Sequence, residues 1–162
     1  MQKILIPTDF TIESIQVLKE YLATLNTEEH VSIVLCAGYH RSEGFLDLLH
    51  FSKHKLTKEF VHKDFSEALA ILDNKFGDQI AAINIDFFSG WNLNAFKNYL
   101  MANEITQIVF SNEIKLSCKH KKWLDILPFI RKVTTAQAKI KIDKEELPFH
   151  QVALAPLFNL VK

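Results

Sequence analysis

The chain of 162 residues carries only four glycines, the last of them Gly90, and this scarcity removes one kind of chemistry from its C-terminal half. A backbone that wraps phosphate oxygens needs residues without a Cβ, so no glycine-rich phosphate loop can be built after Gly90. An excess of charge is also missing, because nineteen Lys and Arg balance nineteen Asp and Glu. Without net positive charge, the general attraction to nucleic acid or anionic membranes is absent, and neither partner is expected. Long apolar runs are lacking as well. The run that follows Met1 ends at Pro7, too short for an export signal or a membrane span. Cysteine is sparse: Cys36 and Cys118 stand far apart and read as free thiols in a cytoplasmic protein.

What is present suits one globular domain, with 48% apolar and 23% charged residues. Lys3–Pro7 is an apolar run closed by the turn chemistry of Thr8 and Asp9, which predicts a strand buried on both faces. Thr11 then offers an N-cap, Glu13 suits the positive end of a helix, and Ile15, Leu18, Leu22 and Leu25 form its stripe. Val31–Ala37 predicts a second strand, interrupted at Gly38. From Ser42 a helical stripe runs through Phe45, Leu48, Leu49, Ser52, Leu56 and Phe60. Asp64 and Glu67 have capping-box spacing before a further helix that Gly77 can stop in the left-handed conformation. Ile80–Phe88 is the third predicted strand and Thr106–Ser111 the fourth, with a helix between them capped by Asn92 or Asn94. Asp125 can start a helix with the stripe Leu127, Ile130 and Val133 or Thr134. Ala138–Ile142 then alternates Ile with Lys as an edge strand does. Alternating strands and helices predict an α/β fold with a doubly wound parallel sheet, whose ligands sit beyond the carboxyl ends of its strands. The domain is expected to span residues 1–143. Residues 144–162 form a tail in which Gln151–Phe158 echoes Lys3–Phe10 and could supply an extra strand or a dimer contact.

The segment KILIPTDFTIES, Lys3–Ser14, resembles the first strand, acidic turn and opening helix of the universal stress protein family. At the level of pattern the resemblance extends to Ile142. It implies a Rossmann-like, five-stranded sheet of order 3-2-1-4-5, of the kind shared with adenine nucleotide alpha hydrolases. ATP-binding members of the family carry Gly-x2-Gly-x9-Gly-(Ser/Thr) after the fourth strand. The corresponding stretch here, Ser111–Lys132, reads SNEIKLSCKHKKWLDILPFIRK and has no glycine. The resemblance therefore implies a non-catalytic stress-response or regulatory module, dimeric and without a cofactor. Its alternative is an ATP or AMP binder. There Pro7, Thr8, Asp9, Cys36, Ala37, Ser111 and Asn112 would line a nucleoside pocket, and Lys115, Lys119, Lys121 and Lys122 would replace the glycine loop as anion contacts.

Other constellations are weaker. His50 and His54, four apart, could hold a metal with Asp47 or His62, but neither an HExxH frame nor a cysteine pair accompanies them, and no metal is expected. Cys118 and His120 are near neighbours on a loop, a placement that rarely activates a thiol. Ser14 and Ser111 lack a nucleophile elbow. Phe87, Phe88 and Trp91 could stack a base at the end of the third strand, although core packing is the commoner use of such residues.

Overall fold

The apolar run near the N-terminus becomes β1 (Gln2–Pro7), and its last four residues are buried. In the computed structural model, which describes residues 1–26, 28–42, 44 and 52–142, β1 lies at the centre of the sheet. Thr11 caps α1 (Ile12–Thr24) by accepting from Ser14 N, as its position predicts. β2 (Val31–Tyr39) is buried along its whole length, which suits a strand covered on both faces. It runs through Gly38 instead of stopping there, because Gly38 continues the ladder with β3 opposite Phe88.

Ser52 caps α2 (Lys53–Phe60) by accepting from Lys55 N, and α3 (Lys63–Phe76) follows. The expected capping box at Asp64 and Glu67 does not form. Helix α3 begins one residue ahead of Asp64, with His62 at the N-cap and no side-chain cap bond. Gly77 keeps a right-handed conformation at φ −54°, so it is not the left-handed stop that was expected. The predicted helix stripe through Phe45, Leu48 and Leu49 lies outside the described residues.

β3 (Ile80–Phe88), α4 (Leu93–Ala102) capped by Asn92, and β4 (Gln107–Phe110) complete the expected alternation. The short β5 (Trp123–Leu124) precedes α5 (Leu127–Ile130) and the edge strand β6 (Ala136–Lys139). Helix α5 is a single turn, shorter than the expected stripe reaching Val133 or Thr134. The parallel path is β3-β2-β1-β4-β6, and β5 joins β2 antiparallel. The described residues thus form six strands, not five. The additional one is β5, while the expected fifth strand is β6, which begins two residues earlier. The expected C-terminal strand or tail lies outside the described residues.

Ile4, Leu5, Ile6, Leu18, Leu22, Ile33, Leu35 and Leu72 are essentially inaccessible and hold the layers together. Phe87 and Phe88 point to opposite faces of β3. Phe87 meets Phe10 and Phe60, whereas Phe88 meets Phe96, Tyr99 and Phe129. Trp91 is 75% exposed, so it does not join these two residues in one base-stacking cluster.

Candidate functional site

In an open parallel sheet the place to look for a ligand is beyond the carboxyl ends of the strands, where their order reverses. Here that place lies past Pro7 of β1, and the chain itself crosses it. β1 pairs with β2 only as far as Pro7 opposite Cys36, while β3 holds the other edge of β2 up to Gly38. On the edge that β1 has left free, β5 pairs Leu124 with Gly38 and Trp123 with Tyr39. His40 N donates to Lys122 O at 2.7 Å and extends the antiparallel contact. Gly38 is required there, because a Cβ at this position would stand 2.3 Å from Leu124 O and 2.9 Å from Ile126 Cγ2.

The turn after β1 is built to receive this segment. Phe10 has φ 60°, an uncommon conformation for a residue with a bulky side chain. Its ring is held by Phe60, Phe65 and Phe87 at centroid distances of 5.5–5.7 Å, and its amide donates to Thr8 Oγ1 at 3.0 Å. The turn aims the Asp9 carboxylate inward, where 5% of the residue is exposed. Asp9 Oδ1 accepts from Thr11 N at 3.0 Å and from the Thr11 hydroxyl at 2.6 Å, and Oδ2 accepts from Ser117 N at 2.9 Å. Both carboxylate oxygens are therefore engaged within the chain. Trp123 Nε1 donates to Thr8 O at 3.3 Å, a second tie between the crossing segment and the end of β1.

The residues expected around a nucleoside divide accordingly. Pro7, Thr8, Asp9, Cys36, Ala37 and Ser111 are all buried, and Asn112 is exposed. Burial pushes the Cys36 thiol up to about 12, so it stays protonated and is a poor nucleophile or ligand. Ser111 Oγ bonds the Glu113 carboxylate, which holds Glu113 below the usual carboxylate range. Lys115, Lys119 and Lys121 are exposed, and the Lys122 ammonium sits 5.8 Å from the centre of the Tyr39 ring.

Beside Asp9 opens a cleft of about 580 Å³, bordered by Phe10, Phe60, Glu59, His62, Cys118 and His120 among others. Asp9 and Lys119 are the expected site residues that reach it. The His120 ring packs 4.1 Å from Phe60, its Nδ1 accepts from Lys122 N at 3.2 Å, and its Nε2 faces Glu59 at 3.5 Å. With Nδ1 accepting, the proton of the neutral ring belongs on Nε2. Neither ring nitrogen is bonded to Cys118, so no activated thiol pair exists here. Among the described residues no three His, Cys, Asp or Glu side chains converge to hold a metal, and His50 and Asp47 lie outside those residues.

Sequence reading found Asp9 but not its partners. Ser117 contributes a backbone amide, which any residue would supply, and Trp123 reaches Thr8 from a distant segment. The one local signal was the Asp9-x-Thr11 spacing, since Asp favours bonds to the backbone two residues ahead.

No family model and no curated protein sequence matches this chain. Among solved structures, the universal stress protein UspA of Lactobacillus plantarum is similar, with a TM-score of 0.51 at 13% identity over 86% of this chain and 97% of that one. A universal stress family protein of Burkholderia pseudomallei gives 0.49 at 11% identity, covering 86% and 95%. A universal stress protein in complex with cAMP gives 0.47 at 11% identity, covering 86% and 97%. The chain has the α/β fold of the Lactobacillus protein. Among the described residues no helix is long and apolar enough to cross a membrane.

Proposed function

We propose that this chain is a non-catalytic module of the universal stress protein kind, working as a homodimer in stress response or regulation, with its nucleotide crevice closed by its own backbone. One observation carries this reading. Both oxygens of the Asp9 carboxylate, which the family resemblance assigns to a nucleoside, accept hydrogen bonds from within the chain, from Thr11 and from the Ser117 amide. A nucleoside hydroxyl would have to share Asp9 with three donors already in place, among them a backbone amide whose charge-assisted bond is worth roughly 1.5–3 kcal/mol. It would also have to move β5, which lies along β2 just past β1.

The alternative is an adenine nucleotide held by lysines in place of a glycine loop. Its support is the cleft beside Asp9, which Lys119 borders. Mass spectrometry of gently purified protein separates the two readings. The closed crevice predicts no stoichiometric ATP or AMP. Co-purified nucleotide that disappears in Asp9→Ala would establish the alternative.

A further inference from the structure

The balanced charge total hides an uneven distribution. Eight of the nineteen Lys and Arg lie in two short segments, Lys53–Lys63 and Lys115–Lys122, which between them hold one carboxylate, Glu59. The remainder of the chain is therefore net acidic. The fold brings the two segments together. His120 of the second packs its ring 4.1 Å from Phe60 of the first, and its Nε2 faces Glu59 at 3.5 Å. His62 from one segment and Lys119 from the other border the same cleft.

Most of these cations are unspent. Lys53 meets Asp86 at 3.1 Å, Lys63 meets Glu67 at 3.4 Å, and Lys122 lies over Tyr39. Lys55, Lys58, Lys115, Lys119 and Lys121 are exposed and form no ion pair with any described residue. The large apolar side chains of the two segments, Leu56, Phe60 and Leu116, are buried. The segments therefore offer neither a phenyl ring to stack on an unpaired base nor an apolar wedge to enter a bilayer. None of the eight cations is an arginine, so no planar fork is present to grip a carboxylate.

We propose that this surface binds the phosphate backbone of a nucleic-acid duplex, without reading its bases, across the cleft between α2 and the crossing segment. Charge complementarity favours a duplex over an acidic protein segment. An exposed lysine gains only about 0.2–1 kcal/mol from a carboxylate, and a flexible acidic segment must also be ordered as it binds. The phosphates of a duplex are already held in place and carry condensed counterions, so each lysine that replaces an ion gains from its release. With all five free lysines on phosphates, the logarithm of the affinity should fall against the logarithm of salt with a slope of about −4.5. The contact goes beyond the regulatory reading above, since it requires neither a nucleoside at Asp9 nor a dimer.

Fluorescence anisotropy of a labelled duplex of about 20 base pairs, titrated with the full chain between about 50 and 200 mM salt, reads affinity and slope together. Lys119→Gln with Lys121→Gln should weaken binding roughly tenfold to a hundredfold and make the slope shallower by about 2. Lys58→Gln with Lys115→Gln should act alike, because the contact spans both segments. Lys139→Gln with Lys141→Gln, exposed on β6 and just beyond it, should leave affinity and slope unchanged. Absence of binding at the lowest salt would overturn the proposal, and so would an equal loss from the β6 pair. Tighter binding of a single strand, or equal binding of polyglutamate or of phosphatidylserine vesicles, would overturn the duplex as the partner. Displacement of the duplex by stoichiometric AMP would return these lysines to the nucleotide reading.

Discussion

The end of β1 and the outer edge of β3 offer the same resource, free backbone hydrogen-bonding groups beside apolar side chains, and the chain treats them in opposite ways. Past Pro7 the free edge of β2 is taken by β5, and Asp9 is met by the Ser117 amide. Along β3, where Ala81, Ala82 and Asn84 are exposed, the outer edge has no strand partner among the described residues. The difference teaches where to look for this protein's interactions. At the end of β1 the backbone and the Asp9 carboxylate are tied up by internal bonds, whereas the outer edge of β3 has no ladder partner among the described residues.

The closed end can be broken most severely at Gly38. Gly38→Val places a branched side chain where Leu124 O now stands, so β5 must detach. Overpacking of this kind costs about 3 kcal/mol, read from the urea midpoint. In a Trp91→Phe background the emission of Trp123 should shift to the red as its bond to Thr8 is lost. An unshifted spectrum at full stability would show that β5 does not depend on this close approach.

Asp9→Ala comes next. It strands the Ser117 amide and both Thr11 donors, an expected loss of about 2 kcal/mol in the same measurement. Asn at this position keeps acceptor capacity on one side only and should lose about half as much. If Asp9→Ala proved neutral, the carboxylate would not be what holds the crossing segment.

The smallest effect, nil at neutral pH, concerns Cys36 at the floor of the closed end. Its thiol titrates near 9.0 when unperturbed and at about 12 in the folded chain. Between those values the unfolded chain gives up a proton that the folded chain keeps, so stability is full below pH 9 and declines as pH rises toward 12. Burial likewise pushes the Tyr99 hydroxyl up, which adds to the decline above its ordinary 10.0. Urea midpoints from neutral pH to about 10.5 should fall less steeply in Cys36→Ala than in wild type. Equal slopes would mean that the thiol is reached by solvent.

Parts of this comparison are legible in the order of residues alone. The Thr11 cap and the bounds of β3 follow from local chemistry, because a cap needs one oxygen at one position and a run rich in Ile and Phe between turn residues announces a strand even where, as in β3, much of it is exposed. Asp9 is legible as a turn residue. β5 is not, since two residues carry no periodicity and Trp123 and Leu124 come directly after the polar stretch that ends at Lys122. The capping-box spacing at Asp64 and Glu67 misleads because helix α3 starts a residue earlier, where packing of Phe65 and Ala68 against the core fixes its phase.

By itself, the sequence determined the parallel sheet and the absence of a glycine-built phosphate site, because strand burial, crossover direction and backbone access depend on residue type and order. Only the tertiary structure decided what fills the end of β1 and which strands stand at the edges of the sheet. Those outcomes turn on pairings between distant segments, Trp123 with Tyr39 and Asp9 with Ser117, whose partners are mostly backbone groups that every residue possesses.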